Sequence, residues 1–394
     1  MFSMKLLIYF ILVALESLAA NLAHPITPTL IQTLGLPDYM FGLMFAGMAI
    51  TNFLFSPFWG KLADYLPSRT ILLIGCIGYG LGQLFFWQAS TPAAIMTARC
   101  FSGFFVGGLS VAMLTYLVNT SAPVSRSRNL TLHATIVTVS STFGYLIGGF
   151  AGEISLDIAF GLQVGVLILC GLLFGVLLLN DRPSGASRPP FRTMAKGANP
   201  FSAFAAGRQF MTAAFAILFG VVLLSVFAST AYDQCFNYYI KDQFGFSSAY
   251  NGTIKAVIGI ISLTANMTLC LYIVRKTDVA RSNAIILLCG SALLLGAVLT
   301  DAVVPFILLT ALYLGVNAIS VPVLQSLVSG RASSDNSNLV MGFYNAMKSL
   351  GMVLGALAAG LVYGWNPKLP FLLAAICFAG AAFLALLYWR KVSA

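Results

Sequence analysis

Residues 34–50 read LGLPDYMFGLMFAGMAI, and at a constant offset of 210 positions residues 244–260 read FGFSSAYNGTIKAVIGI, with Gly35 over Gly245, Gly42 over Gly252 and Ile50 over Ile260. A second echo, at an offset of 207, sets Gly144 and Gly148 over Gly351 and Gly355. The chain is therefore read as two related halves. Around these segments lie twelve apolar stretches near 6–33, 40–63, 70–89, 93–118, 130–152, 158–179, 210–240, 249–274, 282–300, 303–328, 339–363 and 368–389. Each approaches the roughly 20 apolar residues that a transmembrane helix needs. They form two sets of six around one long polar stretch, Asn180 to Arg208. Two parallel six-helix halves imply a pseudo-twofold axis along the membrane normal and a substrate site between them near the midplane.

Composition limits the class. Hydrophobic residues make up 59% and charged residues 8% of the chain, with a mean hydropathy of +0.92, values foreign to soluble domains. The 36 Gly and 15 Pro would break water-soluble helices. In a membrane, small residues let helices approach, and proline is tolerated where neighbours satisfy the freed carbonyls. An all-α integral membrane protein is expected rather than a barrel. The seven Cys lie inside apolar runs without metal-ligand or paired spacing and read as small packing residues. The net charge of +10 could suggest nucleic-acid binding, but most of the 21 Lys and Arg fall in loops on one side if both termini are cytoplasmic. That positive-inside asymmetry predicts a multi-pass protein of the cell membrane with cytoplasmic termini, and no nucleic-acid partner. The first span is too long for a signal peptide, contains Glu16 and lacks a cleavage site, so it is expected to stay attached. DRPSGASRPPFRTMAKGANP (181–200) reads as a solvated connector, which divides the chain into halves at 1–180 and 209–394 with a cytoplasmic linker at 181–208.

The loop after the second span runs Gly60-Lys-Leu-Ala-Asp64-Tyr-Leu-Pro-Ser-Arg69. Glycine there permits a tight turn, and a carboxylate four residues on can cap a facing helix while pairing with arginine. This loop resembles the hallmark of the major facilitator superfamily. It keeps Gly60, Asp64 and Arg69 but carries Tyr65, Pro67 and Ser68 where the family usually has a basic residue, Gly and Arg. Arg99-Cys-Phe-Ser-Gly103 is similar to the family's Arg-x-x-x-Gly element, and Pro25-Ile-Thr-Pro28 to the Pro-x-x-Pro of the twelve-span drug:proton antiporter group. Gly144-Tyr145-Leu-Ile-Gly148-Gly149 resembles that group's Gly-Pro-x-x-Gly-Gly antiporter element, with Tyr145 in place of Pro. The resemblance implies the major facilitator fold, twelve transmembrane helices in two pseudo-symmetric six-helix bundles. It also implies gating roles for Gly60, Asp64, Arg69, Gly144, Gly148 and Gly149. Glycines at helical spacing equally suit close packing, and Pro25 and Pro28 a kink in the first span.

Ionisable residues inside apolar spans carry mechanistic information, because each costs several kcal/mol unless paired or hydrated. Glu16 stands roughly 15 Å above the cytoplasmic end of span one and Arg99 about 9 Å below the outer end of span four at the helical rise. In the family both spans line the cavity, so a Glu16–Arg99 pair is expected, with Glu16 as the reversibly protonated group. Asp233 and Lys255, about 12 and 9 Å deep in spans seven and eight, form a second expected pair. Asp233 joins Glu16 and Arg99 as a proton-coupling candidate. Lys348, about 15 Å from the inner end of span eleven, has no evident partner and either loses its proton or awaits an anion. His24 suits the outer cavity or a hydrogen bond to a carbonyl, while His133 reads as interfacial near the cytoplasmic end of span five. Tyr232 and Phe236, in an aromatic cluster of span seven, suit amphipathic ligands as well as an interfacial belt. The substrate-binding candidates are thus Glu16, His24, Arg99, Tyr232, Asp233, Phe236, Lys255 and Lys348.

These residues predict a secondary active transporter, a proton-coupled exporter of amphipathic small molecules working by alternating access. The alternative is a transporter or flippase of an anionic metabolite or lipid headgroup, suggested by three intramembrane cations against two carboxylates. There is no Walker-type phosphate loop and no catalytic constellation, so no enzyme is expected. The expected partners are a small-molecule substrate, protons and membrane lipids, for a monomer without cofactor or metal.

Overall fold

The computed structural model describes residues 4–63, 65–181, 199–332 and 337–393, and every regular element among them is helical. The elements are α1 (Met4–Ala20), α2 (Thr27–Thr33), α3 (Met40–Leu62), α4 (Ser68–Gln88), α5 (Pro92–Thr120), α6 (Pro123–Ile154) and α7 (Leu156–Leu177). After the linker come α8 (Ala213–Asp242), α9 (Ser248–Lys276), α10 (Val279–Val298), α11 (Val303–Arg331), α12 (Ser337–Tyr363) and α13 (Leu369–Ser393). Among the described residues eleven helices, α3 to α13, are long and apolar enough to cross a membrane.

The first predicted span is the exception. Residues 6–33 were expected to form one kinked helix, but α1 stops at Ala20 and residues 21–26 form turns before α2 begins. Pro25 explains the break. It lacks an amide hydrogen, and its ring collides with the carbonyl four residues earlier. Pro28 then sits within the first turn of α2, where a missing amide hydrogen costs nothing. The His24 amide turns back to the Asn21 carbonyl, which leaves the Ala20 carbonyl without its helical donor. Tyr79 Oη donates to that carbonyl at 3.3 Å and Gln163 Nε2 at 3.2 Å. In hydrocarbon such a carbonyl would otherwise cost several kcal/mol.

The chain forms two compact units. In the first, α4 packs against α5 and α7, while α1 packs against α6 and α7. In the second, α10 packs against α11 and α13, while α8 packs against α12 and α13. The same scheme is thus used twice, helix for helix. The echoed segments share a backbone signature as well: Gly35 has φ 60° and Gly245 φ 63°, and they are the positive-φ residues of the described chain. The first unit's core joins Tyr9, Phe10, Leu72, Cys76, Tyr116 and Phe174. All seven cysteines are free. Outward faces carry Val176, Leu361 and Phe383, each more than half exposed, as a surface facing lipid rather than water allows.

Gly35 and Gly245 give a test of the shared turn, because a Cβ at either would meet no atom within 4 Å. Any cost of substitution is therefore conformational. Gly35→Ala and Gly245→Ala should each destabilise by about 1 to 2 kcal/mol, the left-handed penalty for an L-residue, with the asparagine variants milder. Thermal unfolding in detergent reads this, and losses in the double variant should add.

Candidate functional site

The break between α1 and α2 opens a cavity of about 340 Å³ inside the first unit, walled by Glu16, Ser17, Asn21, Met113, His133 and Ser141 among others. Glu16 is 7% exposed, and Ser17 Oγ donates to its Oε2 at 3.3 Å. Asn21 holds the turn by donating through Nδ2 to the Ser17 carbonyl at 2.8 Å and to Ser141 Oγ at 3.0 Å. The titratable groups on this wall are Glu16, His24, Tyr79 and His133, with no lysine or arginine among its residues.

The expected Glu16–Arg99 pair is not formed. Arg99, 6% exposed on α5, lays its guanidinium over the Phe86 ring at 4.6 Å, and its Nε has no partner. It belongs to a separate polar cluster with Tyr79, Gln83 and Gln163. Both side-chain atoms that Gln83 could use, and Gln163 Oε1, are buried without a partner. Tyr79 and His24 line both sites, and Tyr79, which also donates to the Ala20 carbonyl, is shared between the carboxylate's cavity and the guanidinium's cluster. A ring face partly compensates a buried cation. His24 stacks on Tyr145 with ring centroids 5.4 Å apart.

His133 was expected at the interface, yet it is 9% exposed and lines the Glu16 cavity. The spacing His133, Val137, Ser141, Gly144 and Gly148 forms one helical stripe towards α1, a signal from which the burial could have been read. A Cβ on Gly144 would run into the Leu18 carbonyl, and one on Gly148 into the Leu22 carbonyl. Gly149 faces residues of α9 within the same unit, its hypothetical Cβ 3.1 Å from Gly252 Cα. The glycine ridge of α6 therefore lets backbone meet backbone beside the break.

Gly60 does not make the expected turn. It lies inside α3, which runs on to Leu62, because a glycine with ordinary helical angles simply continues a helix. Asp64 lies outside the described residues. The carboxylate that caps α4 is Asp181, which accepts from the Ser68 amide at 2.9 Å, Ser68 Oγ at 2.6 Å and Asn119 Nδ2 at 3.0 Å. Arg69 instead donates to the Leu178 carbonyl at 3.4 Å. Asp181 was read as the first residue of a solvated connector, so its role was missed.

In the second unit, Tyr232 and Phe236 are fully buried. They stack on one another at 5.6 Å, and Tyr232 also meets Tyr313 at 4.4 Å and Phe371 at 5.6 Å. They form a packed core, not a cavity wall. Asp233 is half-buried on α8 of this unit, and Lys255 half-buried in the part of α9 that belongs to the first. Lys348, half-buried on α12, places its ammonium 5.5 Å over the Tyr344 ring.

A broken first helix, a buried carboxylate beside it and a duplicated helix scheme define a class of membrane transporter. The sequence profile of the Major Facilitator Superfamily matches residues 9–315, and the chain belongs to that superfamily. It is a multi-pass membrane transporter rather than an enzyme. Multidrug resistance protein 2 of Bacillus subtilis (strain 168) is 20% identical over 357 residues, 91% of this chain and 88% of the relative. Tetracycline resistance protein, class C, of Escherichia coli is 26% identical over 371 residues, 90% and 89% of the two chains. The human organic anion transporter MFSD10 (TETRAN) shares the fold, with a TM-score of 0.67 at 21% identity over 98% of each chain.

The α6 ridge yields a stability prediction. In Gly148→Ala the new methyl group meets backbone that cannot rotate away, so a loss of about 1 to 3 kcal/mol is expected, as for overpacking. Gly165→Ala in α7, where a Cβ meets nothing within 4 Å, should leave the melting temperature unchanged or raised.

Proposed function

We propose that the chain is a secondary active transporter that exports amphipathic small molecules against protons by alternating access, with Glu16 carrying the coupling proton. One arrangement supports this reading: a buried carboxylate with no ion-pair partner on a cavity wall that mixes Met48, Leu109 and Val137 with Ser17 and Asn21. A charged carboxylate in hydrocarbon costs several kcal/mol, so the site favours a proton or a cationic group. The apolar wall accommodates the rest of an amphipathic molecule. When proton and substrate compete for one carboxylate, each lowers the affinity for the other by the same factor, which drives them in opposite directions. The multidrug and tetracycline resistance proteins to which the chain is similar accord with export. Asp233 is assigned as the second unit's coupling carboxylate, and the cell membrane with cytoplasmic termini as the setting.

In proteoliposomes with an imposed pH gradient, Glu16→Gln should abolish accumulation while the folded variant still binds a neutral substrate. Normal pH-driven transport by that variant would exclude Glu16 as the carrier.

A second reading, transport of an anion, is favoured by Arg99 and Lys348, whose charges are met by the Phe86 and Tyr344 rings and by no described carboxylate. An anion would gain charge-assisted hydrogen bonds at Lys348. If the substrate is anionic, Lys348→Gln should weaken its binding at least tenfold, about 1.4 kcal/mol, with smaller losses for neutral analogues. For a cationic substrate the same change should leave binding intact or improve it, and isothermal titration with a charge series separates the two.

A further inference from the structure

Tyr9, on the α1 face below Glu16, has one proton to give and two neighbours. Its Oη lies 2.9 Å from the Met113 carbonyl and 3.1 Å from His133 Nδ1. A carbonyl has no proton to offer. If Tyr9 donated to the imidazole, two oxygen lone pairs would face each other at the shorter distance, so Oη donates to Met113 and accepts from Nδ1–H. The ring is held in this place by stacking, Tyr9 on Tyr116 at 5.2 Å and on His133 at 6.0 Å. Nδ1 therefore keeps its proton, and Nε2 is the nitrogen left as a base. His133 lines the same cavity as Glu16, and its hydrogen bond among the described residues is the one at Nδ1, which leaves Nε2 open.

We propose that His133 is a second proton station of this cavity, fixed as its Nδ1–H tautomer by Tyr9 so that Nε2 exchanges protons with Glu16. The assignment rests on the coupling role proposed for Glu16. Tyr9, which holds the ring, and Glu16 are seven residues apart, a rise of about 10 Å along α1, so the transfer is routed through water. The cavity of about 340 Å³ has room for several waters at roughly 30 Å³ each. A proton leaving the Glu16 carboxyl passes along water to Nε2, forming an imidazolium and leaving a carboxylate. The imidazolium then gives the Nε2 proton to water towards exposed Ser110 and Leu114 on the wall. The Nδ1 proton stays on Tyr9 throughout. The titratable groups around this ring are Tyr9, which stacks on it and is itself stacked on Tyr116 from α5, and, on the shared cavity wall, Glu16, His24 and Tyr79.

The chain has only two histidines, so nitrogen-15 NMR of the histidine-labelled full chain reads this ring directly and without any substrate. His133 should show protonated Nδ1 and bare Nε2 at high pH, with Nε2 gaining its proton as the pH falls. In Glu16→Gln the midpoint should drop, because a neighbouring negative charge no longer favours the imidazolium. Tyr9→Phe should release the ring to the Nε2–H tautomer. With ethidium as probe, His133→Gln should slow pH-driven accumulation at least about tenfold, as loss of a proton-transfer group does, and slow counterflow far less. Added imidazole should restore part of the rate in His133→Ala. An Nε2–H tautomer in the unmodified protein, a midpoint indifferent to Glu16→Gln, or equal losses in both flux modes without imidazole rescue would overturn the proposal. Normal pH-driven transport by Glu16→Gln instead removes the coupling reading alone, while the tautomer and its titration still decide for or against His133 as a base of the cavity.

Discussion

Everything in the first unit depends on carbonyl groups that a broken helix leaves without donors in a membrane. Pro25 ends α1 early, and water is not there to solvate the result. The protein answers from three directions. Tyr79 and Gln163 donate to Ala20, Asn251 donates to the Pro25 carbonyl at 3.3 Å, and the α6 glycines let backbone close over Leu18 and Leu22. One of these groups, Tyr79, also stands on the wall of the cavity. Tyr79 thus serves both the break and the cavity, whose other polar lining beside the carboxylate comes from Ser17, Asn21 and Ser141.

The same constraint separates the charges. Had Glu16 met Arg99, the pair would have been a fixed brace, costly to desolvate and strongly destabilising to break. The carboxylate has a hydroxyl neighbour and a cavity, while the guanidinium has a ring face. Neither charge is neutralised by a fixed opposite charge.

The fold was legible because membrane helices announce themselves by length and apolarity, and the repeat because Gly35 and Gly245 occupy a backbone conformation that few other residues adopt. The break at Pro25 was legible only as a kink, since whether a proline bends or ends a helix depends on neighbours that can take up the freed carbonyl. Glu16 stood out by its apolar surroundings, but its lack of a pair did not, because pairing depends on rotation about two helix axes and on what stands between them. His133 was misplaced by judging depth from the nearby polar residues; α6 begins at Pro123, ahead of its apolar stretch, and carries the ring inward. Asp181 was hidden by the opposite error. Its neighbours in sequence are those of a linker, while its hydrogen bonds are those of a helix cap.

An uncompensated buried charge is costly in every state that leaves it uncompensated, which makes it a demand for a mobile partner. On the reading proposed here, Glu16 can meet that demand with a proton or with a cationic group, and not with both. A permanent counter-ion would satisfy the carboxylate in every state and leave nothing for substrate or proton to change. The absence of a lysine or arginine from its cavity wall is therefore what makes the site able to couple two movements, and a nearby neutral base such as His133 Nε2 can take the proton without becoming such a counter-ion in the unprotonated state.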